Sequence, residues 1–479
     1  MNYSKRKQCV VDTSNKFAAE RIYWLEKNRY FHAEDIEYLR FLIPQNLKIL
    51  DVGCGIGEHL AALNPSVGVG IDIGKEMINF AKERHPRLKF FEGDIEDKVF
   101  LASLKEMGLF DIILMSDTIG FVDDCQTTLE NLRTLCSPET RVVISYFNPW
   151  WETILNFAEY ANLKMPSGQH NYLSMEDIAN LLQLSGFEPI KREWRQLIPK
   201  RLLGIGSFIN RWVAPLPIIR SCCLRNYVVA RLEPNPVNME QLSATVVIPC
   251  RNEKGNIEAA INRLPRFCPK LEILFVEGHS QDGTLDEIKK VINNYPQYDI
   301  KVIEQQGKGK GDAVRTAFSH ASGDVLIILD ADLTTPPEDM PKFYNILVSG
   351  KGEFINGTRL IYPMENQAMQ FLNLLANKVF SWLFCYLLNQ RFTDTLCGTK
   401  ALKKEHYLKI AENRGYFGEF DPFGDFDLIF GASKLNLKVK EIPVRYAART
   451  YGSTQISRFS HGWLLLKMVI FAYRKFKAF

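Results

Sequence analysis

The feature that most constrains this chain is a rhythm that occurs twice, in which apolar runs of strand length alternate with stretches of helical period. The first series is LKILDVG, VGVGIDI, LKFFEGD, FDIILMSD and RVVISYF, with amphipathic stretches at 75–84 and 125–135 between them. The second begins at ATVVIPC and continues through LEILFVEG, DIKVIEQ, DVLIILDAD and GEFINGT. Such alternation predicts mostly parallel sheets covered by helices, an α/β class built twice. At 479 residues the chain is also too long for one ordinary core. Glu233-Pro234-Asn235-Pro236 reads as a linker, because proline disfavours both regular states. The expected organisation is a first domain over 1–232 with its core at about 28–195, a linker over 233–242, and a second domain over 243–479. No internal repeat relates the halves.

The net charge of +4 is small, so its distribution matters more than its total. No acidic residue follows Glu441, whereas seven basic ones do. Residues 194–232 hold Arg195, Lys200, Arg201, Arg211, Arg220, Arg225 and Arg231 and no Asp or Glu. These basic residues lie outside the first glycine motif, which argues against a nucleic-acid groove there. The ten cysteines form no CxxC pair, so reduced thiols in a cytosolic setting are expected. The opening MNYSKRKQCVVDTSNKF lacks the apolar run of a signal peptide. The longest apolar runs, 379–388 and 463–473, are about half the ~20 residues of a membrane-spanning helix.

In KILDVGCGIGEHL, an apolar strand runs into Gly53, Gly55 and Gly57 and then into a helix, with Asp51 just ahead. Glycines there permit a tight turn and close approach of a ligand to the backbone. A dinucleotide fingerprint needs its third glycine at position 58, which is Glu58. Asp72 ends the next apolar run, where it can accept hydrogen bonds from ribose hydroxyls. Gly93-Asp94 ends the third. Asp117, after FDIILMSD begins its turn, is placed either as a base for a hydroxyl acceptor or as a turn or cap residue. Tyr146, Trp150, Trp151 and His170 are further pocket candidates, each more simply a packing residue.

This series resembles the class I S-adenosylmethionine-dependent methyltransferases over about residues 45–148. The resemblance implies a Rossmann-like domain in which Asp51 and the glycines surround the methionine part, Asp72 binds ribose and Asp94 lies near adenine. Methyl transfer is a displacement that chiefly needs alignment, so no universal catalytic residue is required.

In the second half, Asp330 and Asp332 end the run DVLIILDAD. Strand alternation puts both on one face, where they can share a hard cation. The motifs ATVVIPCRNE, FVEGHSQDGT, GKGKGDAVR and INGTRL around them resemble family two glycosyltransferases with the GT-A fold, in the dolichol-phosphate mannose synthase-like group, over about 243–456. By that resemblance Pro249, Glu253 and Glu277 line the nucleoside site, Asp282 supports it, Lys310 and Arg315 lie near the phosphates of a nucleotide-diphosphate sugar, and Asp330 and Asp332 hold Mg²⁺ or Mn²⁺. Glu277-Gly278 departs from the family's usual acidic pair, and Lys400 stands where Arg is commoner. RFTDTLCGTK matches the segment that places Asp394, Gly398 and Lys400 near the acceptor. Asp427, or Asp425 two residues before it, is the catalytic base if the acceptor is a hydroxyl; an anionic lipid phosphate needs none. Arg445, Arg449 and Ser453 fall where the family has a basic loop over phosphate.

Polyprenyl-phosphate or glycolipid acceptors lie in membranes, so a docking surface is expected. Three basic, aromatic segments offer one: 371–388, 463–479 and 198–231. The expected protein is a bifunctional enzyme of bacterial envelope glycan assembly, cytoplasmic and peripheral at the inner face of the membrane. It would join sugar to a lipid-linked acceptor and methylate a related glycan or lipid product. The alternative keeps the glycosyltransferase and makes the first half a non-catalytic binding or docking module.

Overall fold

The computed structural model describes residues 3–168, 170–234, 241–359, 371–416, 426–447, 449, 451 and 458–478. They fall into two compact units, Met1–Glu233 with Lys477–Phe479, and Pro234–Phe476.

The first unit holds a seven-stranded sheet of β1 (Lys48–Val52), β2 (Val67–Asp72), β3 (Lys89–Glu92), β4 (Phe110–Ser116), β5 (Cys136–Phe147), β6 (Phe187–Arg195) and β7 (Arg225–Leu232). Their order is β3-β2-β1-β4-β5-β7-β6, with β7 antiparallel to both neighbours. The central strands are apolar on both faces because helices cover both, and Leu50, Ile113, Leu114 and Ile144 are fully buried. Strand order reverses between β1 and β4, which opens a crevice at their carboxyl ends. Val52 pairs with Ile71 and Asp51 with Leu114, so Gly53, Asp72 and Asp117 emerge at that one edge. Three helices precede β1: α1 (Lys5–Phe17), α2 (Arg21–Lys27) and α3 (Arg29–Leu42).

The second unit repeats the layer plan with a different topology. Its strands are β8 (Ala244–Cys250), β9 (Leu271–Glu277), β10 (Asp299–Glu304), β11 (Val325–Ile328), β12 (Phe354–Thr358), β13 (Lys400–Lys403) and β14 (Val439–Pro443). The order is β10-β9-β8-β11-β13-β12-β14, and β13 alone runs antiparallel. A second reversal, between β8 and β11, sets the second crevice. Helices Phe371–Leu388 and Phe426–Lys434 meet through Phe384, Phe426 and Phe430, and helix Arg458–Phe476 adds Phe471 and Phe476 to that aromatic cluster.

Three expectations are corrected here. Residues 194–232 are not one surface segment: Arg195 ends β6, and β7 buries Arg225 and Arg231 in ion pairs with Asp35 and Glu188. Asp330 and Asp332 are not on a strand, since β11 stops at Ile328 and a turn follows, closed by the Leu333 amide donating to the Asp330 carbonyl at 3.1 Å. Strand alternation therefore does not orient them. Lys477 leaves the basic tail, being fully buried against Glu193 within the first unit. Among the described residues no helix is long and apolar enough to cross a membrane.

Candidate functional sites

In the first unit, Gly53, Gly55 and Gly57 all take positive φ (76°, 52° and 83°), a backbone that L side chains adopt only with strain. The amides of Gly53 and Cys54 both donate to the Ile71 carbonyl at 2.8 and 3.0 Å, which turns the chain over the end of β2. Asp72 holds this loop and the next: Oδ2 accepts from the Gly55 amide at 2.9 Å and Oδ1 from the Gly74 amide at 2.8 Å. A Cβ at Gly55 would meet no atom within 4 Å, so the loop presents bare backbone to open space. That space is a cavity of about 530 Å³ lined by the glycine loop, Asp72, Gly93 to Glu96, Ser116 to Thr118 and the three leading helices.

The protein's own bonds leave over one buried polar group and one half-buried cation. Asp51 Oδ2, just before the loop, has no hydrogen-bond partner among the described residues, and burial pushes its carboxyl up to about 7. Arg21 lines the cavity, and burial holds its guanidinium below its usual range despite the fields of Asp117 and Asp72. Its guanidinium donates to Met165 Sδ at 3.8 Å, and among the described residues no carboxylate pairs with it. An acid and a cation left unpaired suit a ligand carrying both an amino group or sulfonium and a carboxylate, as S-adenosylmethionine does.

Asp94 and Asp117 are engaged differently from expectation. Asp94 and Glu96 both bind the Lys7 ammonium of α1 at 2.5 Å. Asp117, at a strained φ of 57°, is held by Arg225. Arg225 also reaches both oxygens of Asp35 at 3.1 and 3.2 Å, and Asp35 accepts from Tyr227 and lies 3.1 Å from His59 Nε2. Arg225 and His59 outweigh burial and hold the Asp35 carboxyl well below its ordinary range. His32 lines the cavity above this network, and burial lowers its imidazole to about 3, so it is neutral. His170 packs at a tilt against Tyr172 and Phe121, and the Tyr146 hydroxyl donates to the Asn171 carbonyl, so both have packing or hydrogen-bond partners within the domain.

In the second unit, Cys250 pairs with Glu277, and β11 joins β8 through Ile328 and Val247, so all three strand ends open at one edge. Glu277 accepts from the amides of His279 at 3.1 Å and Ser280 at 2.6 Å. Asp282 accepts from the Lys254 and Thr284 amides and from the Tyr451 hydroxyl, which pins the loops after β8 and β9 together. Pro249 is half-buried at the end of β8. Asp330 Oδ1 accepts from Lys310 Nζ at 2.6 Å, and this ammonium outweighs burial to lower the carboxyl. Asp332 Oδ2 accepts from Arg449 at 2.6 Å, while Oδ1 takes the Thr334 amide and hydroxyl at 3.1 and 2.8 Å. Arg449 also lies 3.3 Å from Glu253, whose carboxyl burial raises. Lys310 and Arg315 share the helix Lys310–His320, where Arg315 sits 4.0 Å from Asp312.

Asp330 and Asp332 carry hard carboxylate oxygens of the kind that could hold Mg²⁺ or Mn²⁺, which would compete for them with Lys310 and Arg449. Gly398 packs directly on the Asp330–Lys310 pair, since a Cβ there would lie 2.1 Å from Asp330 Oδ2 and 2.2 Å from Lys310 Nζ. Asp394 is fully buried, and Arg359 binds both its oxygens at 2.6 and 2.8 Å. Asp427 accepts from Arg414 Nε at 2.9 Å on the first turn of its helix. Asp425 and Ser453 lie outside the described residues.

Residues 24–192 match the family model described as "Methyltransferase domain", and residues 245–401 the one described as "Glycosyl transferase family 2". The chain therefore carries a methyltransferase domain followed by a family 2 glycosyltransferase domain. Over 220 residues it is 26% identical to undecaprenyl-phosphate 4-deoxy-4-formamido-L-arabinose transferases of Salmonella paratyphi B and Salmonella newport, covering 44% of this chain and 62% of each relative. The chain thus spans less than two thirds of the length of these relatives. Among solved structures, a Thermotoga maritima SAM-dependent methyltransferase described as a possible histamine N-methyltransferase is 16% identical, covering 46% of this chain and 99% of that one at a TM-score of 0.37. Glucosyl-3-phosphoglycerate synthase from Mycobacterium tuberculosis with Mn²⁺ and UDP is likewise 16% identical, covering 49% and 80% at 0.37.

Proposed function

We propose that this chain transfers a sugar from a nucleotide-diphosphate donor to a polyprenyl-phosphate or glycolipid acceptor, and transfers a methyl group from S-adenosylmethionine to a related glycan or lipid product of envelope assembly. The observation that carries the first activity is the Asp330–Lys310 and Asp332–Arg449 arrangement at the strand reversal. A bound Mg²⁺ or Mn²⁺ would supply charge neutralisation for the departing diphosphate. Lys310 and Arg315 are placed to bind donor phosphates, and Glu253, Glu277 and Asp282 to shape the nucleoside end. With an anionic lipid phosphate as acceptor no base is needed, which suits an Asp394 committed to Arg359 and an Asp427 held by Arg414.

Docking at the inner membrane face is supported in this unit by helix Arg458–Phe476. It buries Met468, Ala472 and Phe476 and exposes Trp463, Leu466 and Ile470 on one stripe beside Lys467.

For the methyl donor, the reading rests on the glycine loop, Asp72 and the unpaired Asp51 and Arg21. A second reading, a binding module without catalysis, draws on Asp117 being tied to Arg225 rather than free as a base. Asp72→Ala is expected to weaken S-adenosylmethionine binding about 10- to 100-fold by calorimetry, because the ligand and the glycine loop both lose a charged acceptor. Equal affinity in wild type and variant would refute the donor site. Binding without methyl transfer to any lipid or glycan would favour the module.

A further inference from the structure

The donor cavity opens onto a surface built the wrong way round for water. Segment 199–222 is a run of short helical turns anchored by a polar residue pointing inward: Asn210 is buried, donates to the Tyr30 hydroxyl and the Ile198 carbonyl, and accepts from the Ile198 amide. Its apolar side chains point outward instead. Leu203, Ile205, Phe208 and Ile218 are 105%, 60%, 62% and 87% exposed, and Leu203 sits at a strained φ of 55°. The helix Glu152–Tyr160 buries Leu155 and leaves other large apolar side chains outside, with Trp150 just before it and Ile154, Phe157 and Tyr160 on it exposed. Isolated apolar residues on a surface need no explanation, but two adjoining sets with a buried asparagine beneath one of them do.

In chain order, the first segment lines the cavity, and the second touches it at its first two residues. Ile154, Phe157 and Leu163 are exposed and line it, as do Pro199 and Lys200 at the start of the second segment. The second segment carries charge of one sign, since Lys200, Arg201 and Arg211 are exposed and no Asp or Glu occurs between Glu193 and Glu233, whereas the first holds an exposed Glu152 and a Glu159 paired with Lys164. Apolar side chains, a tryptophan at each segment (Trp150 and Trp212) and a basic rim are complementary to an anionic bilayer, apolar below its headgroups and negative at them. The cavity wall includes the apolar Phe31, Phe147 and Leu155 together with Arg21, His32 and Asp117.

We infer that these two segments dock the methyltransferase unit on an anionic lipid bilayer, and that the methyl acceptor is an amphiphile whose reacting group enters the cavity from that bilayer. The inference rests on the cavity being the methyl-donor site. In the transfer, the acceptor's oxygen or nitrogen forms the new bond to the methyl carbon, the carbon–sulfur bond pair returns to sulfur, and any acceptor proton leaves to water.

Hydrogen exchange of the full chain tests the surface, with vesicles of phosphatidylglycerol and phosphatidylcholine compared with phosphatidylcholine alone. Peptides covering 150–163 and 199–220 should become protected with phosphatidylglycerol vesicles only. The double variant Phe208→Glu, Trp212→Glu should lose protection at 199–220 while binding S-adenosylmethionine as the wild type does. Neutralising Lys200, Arg201 or Arg211 should weaken vesicle binding about fivefold each. Exchange at both segments that is unchanged by vesicles would overturn the docking surface. Methyl label supplied with vesicles of total bacterial lipid should partition into the chloroform phase; label found only in water-soluble products would overturn the acceptor class. Failure of the intact chain to bind S-adenosylmethionine would instead defeat the donor reading beneath it.

Discussion

Asp332→Ala is expected to lower metal-dependent turnover of a nucleotide sugar by about two to three orders of magnitude, the rate equivalent of the several kcal/mol that a bound divalent ion contributes to charge stabilisation. Asp332 is joined to Arg449 on one oxygen and to Thr334 on the other, so its removal takes away a hard ligand and also leaves Arg449 with Glu253 as its acidic neighbour. Asp332→Asn separates the two effects. Asparagine keeps an oxygen for the Thr334 hydrogen bonds but lacks the charge, so it should be nearly as inactive as alanine and should demand a much higher Mn²⁺ concentration. S-adenosylmethionine binding should be unaffected by both. Turnover at the wild-type level in either variant would refute the metal assignment.

The second large effect is structural. Arg225 is fully buried and neutralises two carboxylates at once, Asp35 beneath the cavity and Asp117 at its wall. Removing one partner of a buried pair costs about 3–5 kcal/mol, because a desolvated charge is left behind. Arg225→Met should therefore destabilise the first unit by about that amount, near the lower end because Asp35 retains Tyr227 and His59. The unfolding transition of this unit in urea, followed by hydrogen exchange at β4 and β5, checks it, and an unchanged transition would contradict it. Arg225→Lys keeps the charge but reaches fewer acceptors, so an intermediate loss is expected.

Most of the two sheets was legible in the sequence, and the reason is chemical. Strands β1, β2, β4, β5, β8, β9, β11 and β12 are largely buried on both faces, so they read as continuous apolar runs, while the edge strands β3 and β10 bury one residue each. Strands β6 and β7 did not read as strands because charged residues alternate through them: Lys191 and Glu193 are buried in β6, as are Arg225 and Arg231 in β7. Their apparent basic surface character disappears once partners are found, and the partner of Arg225 is 190 residues away at Asp35. No local pattern encodes that pairing. The short β13, with Lys400 fully buried at its start, was missed for the same reason.

The sites divide similarly. Glycines 53, 55 and 57 are legible because their positive φ leaves little choice of residue. The acidic pair at 330 and 332 was legible as chemistry but not as geometry, since the strand beneath them ends at Ile328. Arg21, Lys7 and His32 were invisible: helices α1 to α3 carry them to a cavity whose other wall lies after β1, β2 and β4, and nothing in their spacing announces a ligand.

The central claim is that one chain carries two working transferases. Mass spectrometry of lipid extracts incubated with the full chain, Mn²⁺, a panel of nucleotide sugars and isotopically labelled S-adenosylmethionine tests it most directly. The account predicts a lipid-linked product that gains a sugar from one nucleotide donor, and a labelled methyl group on that product or on a related glycan or lipid. Sugar transfer with the methyl label remaining entirely on the donor would contradict it and leave the first half as a binding module.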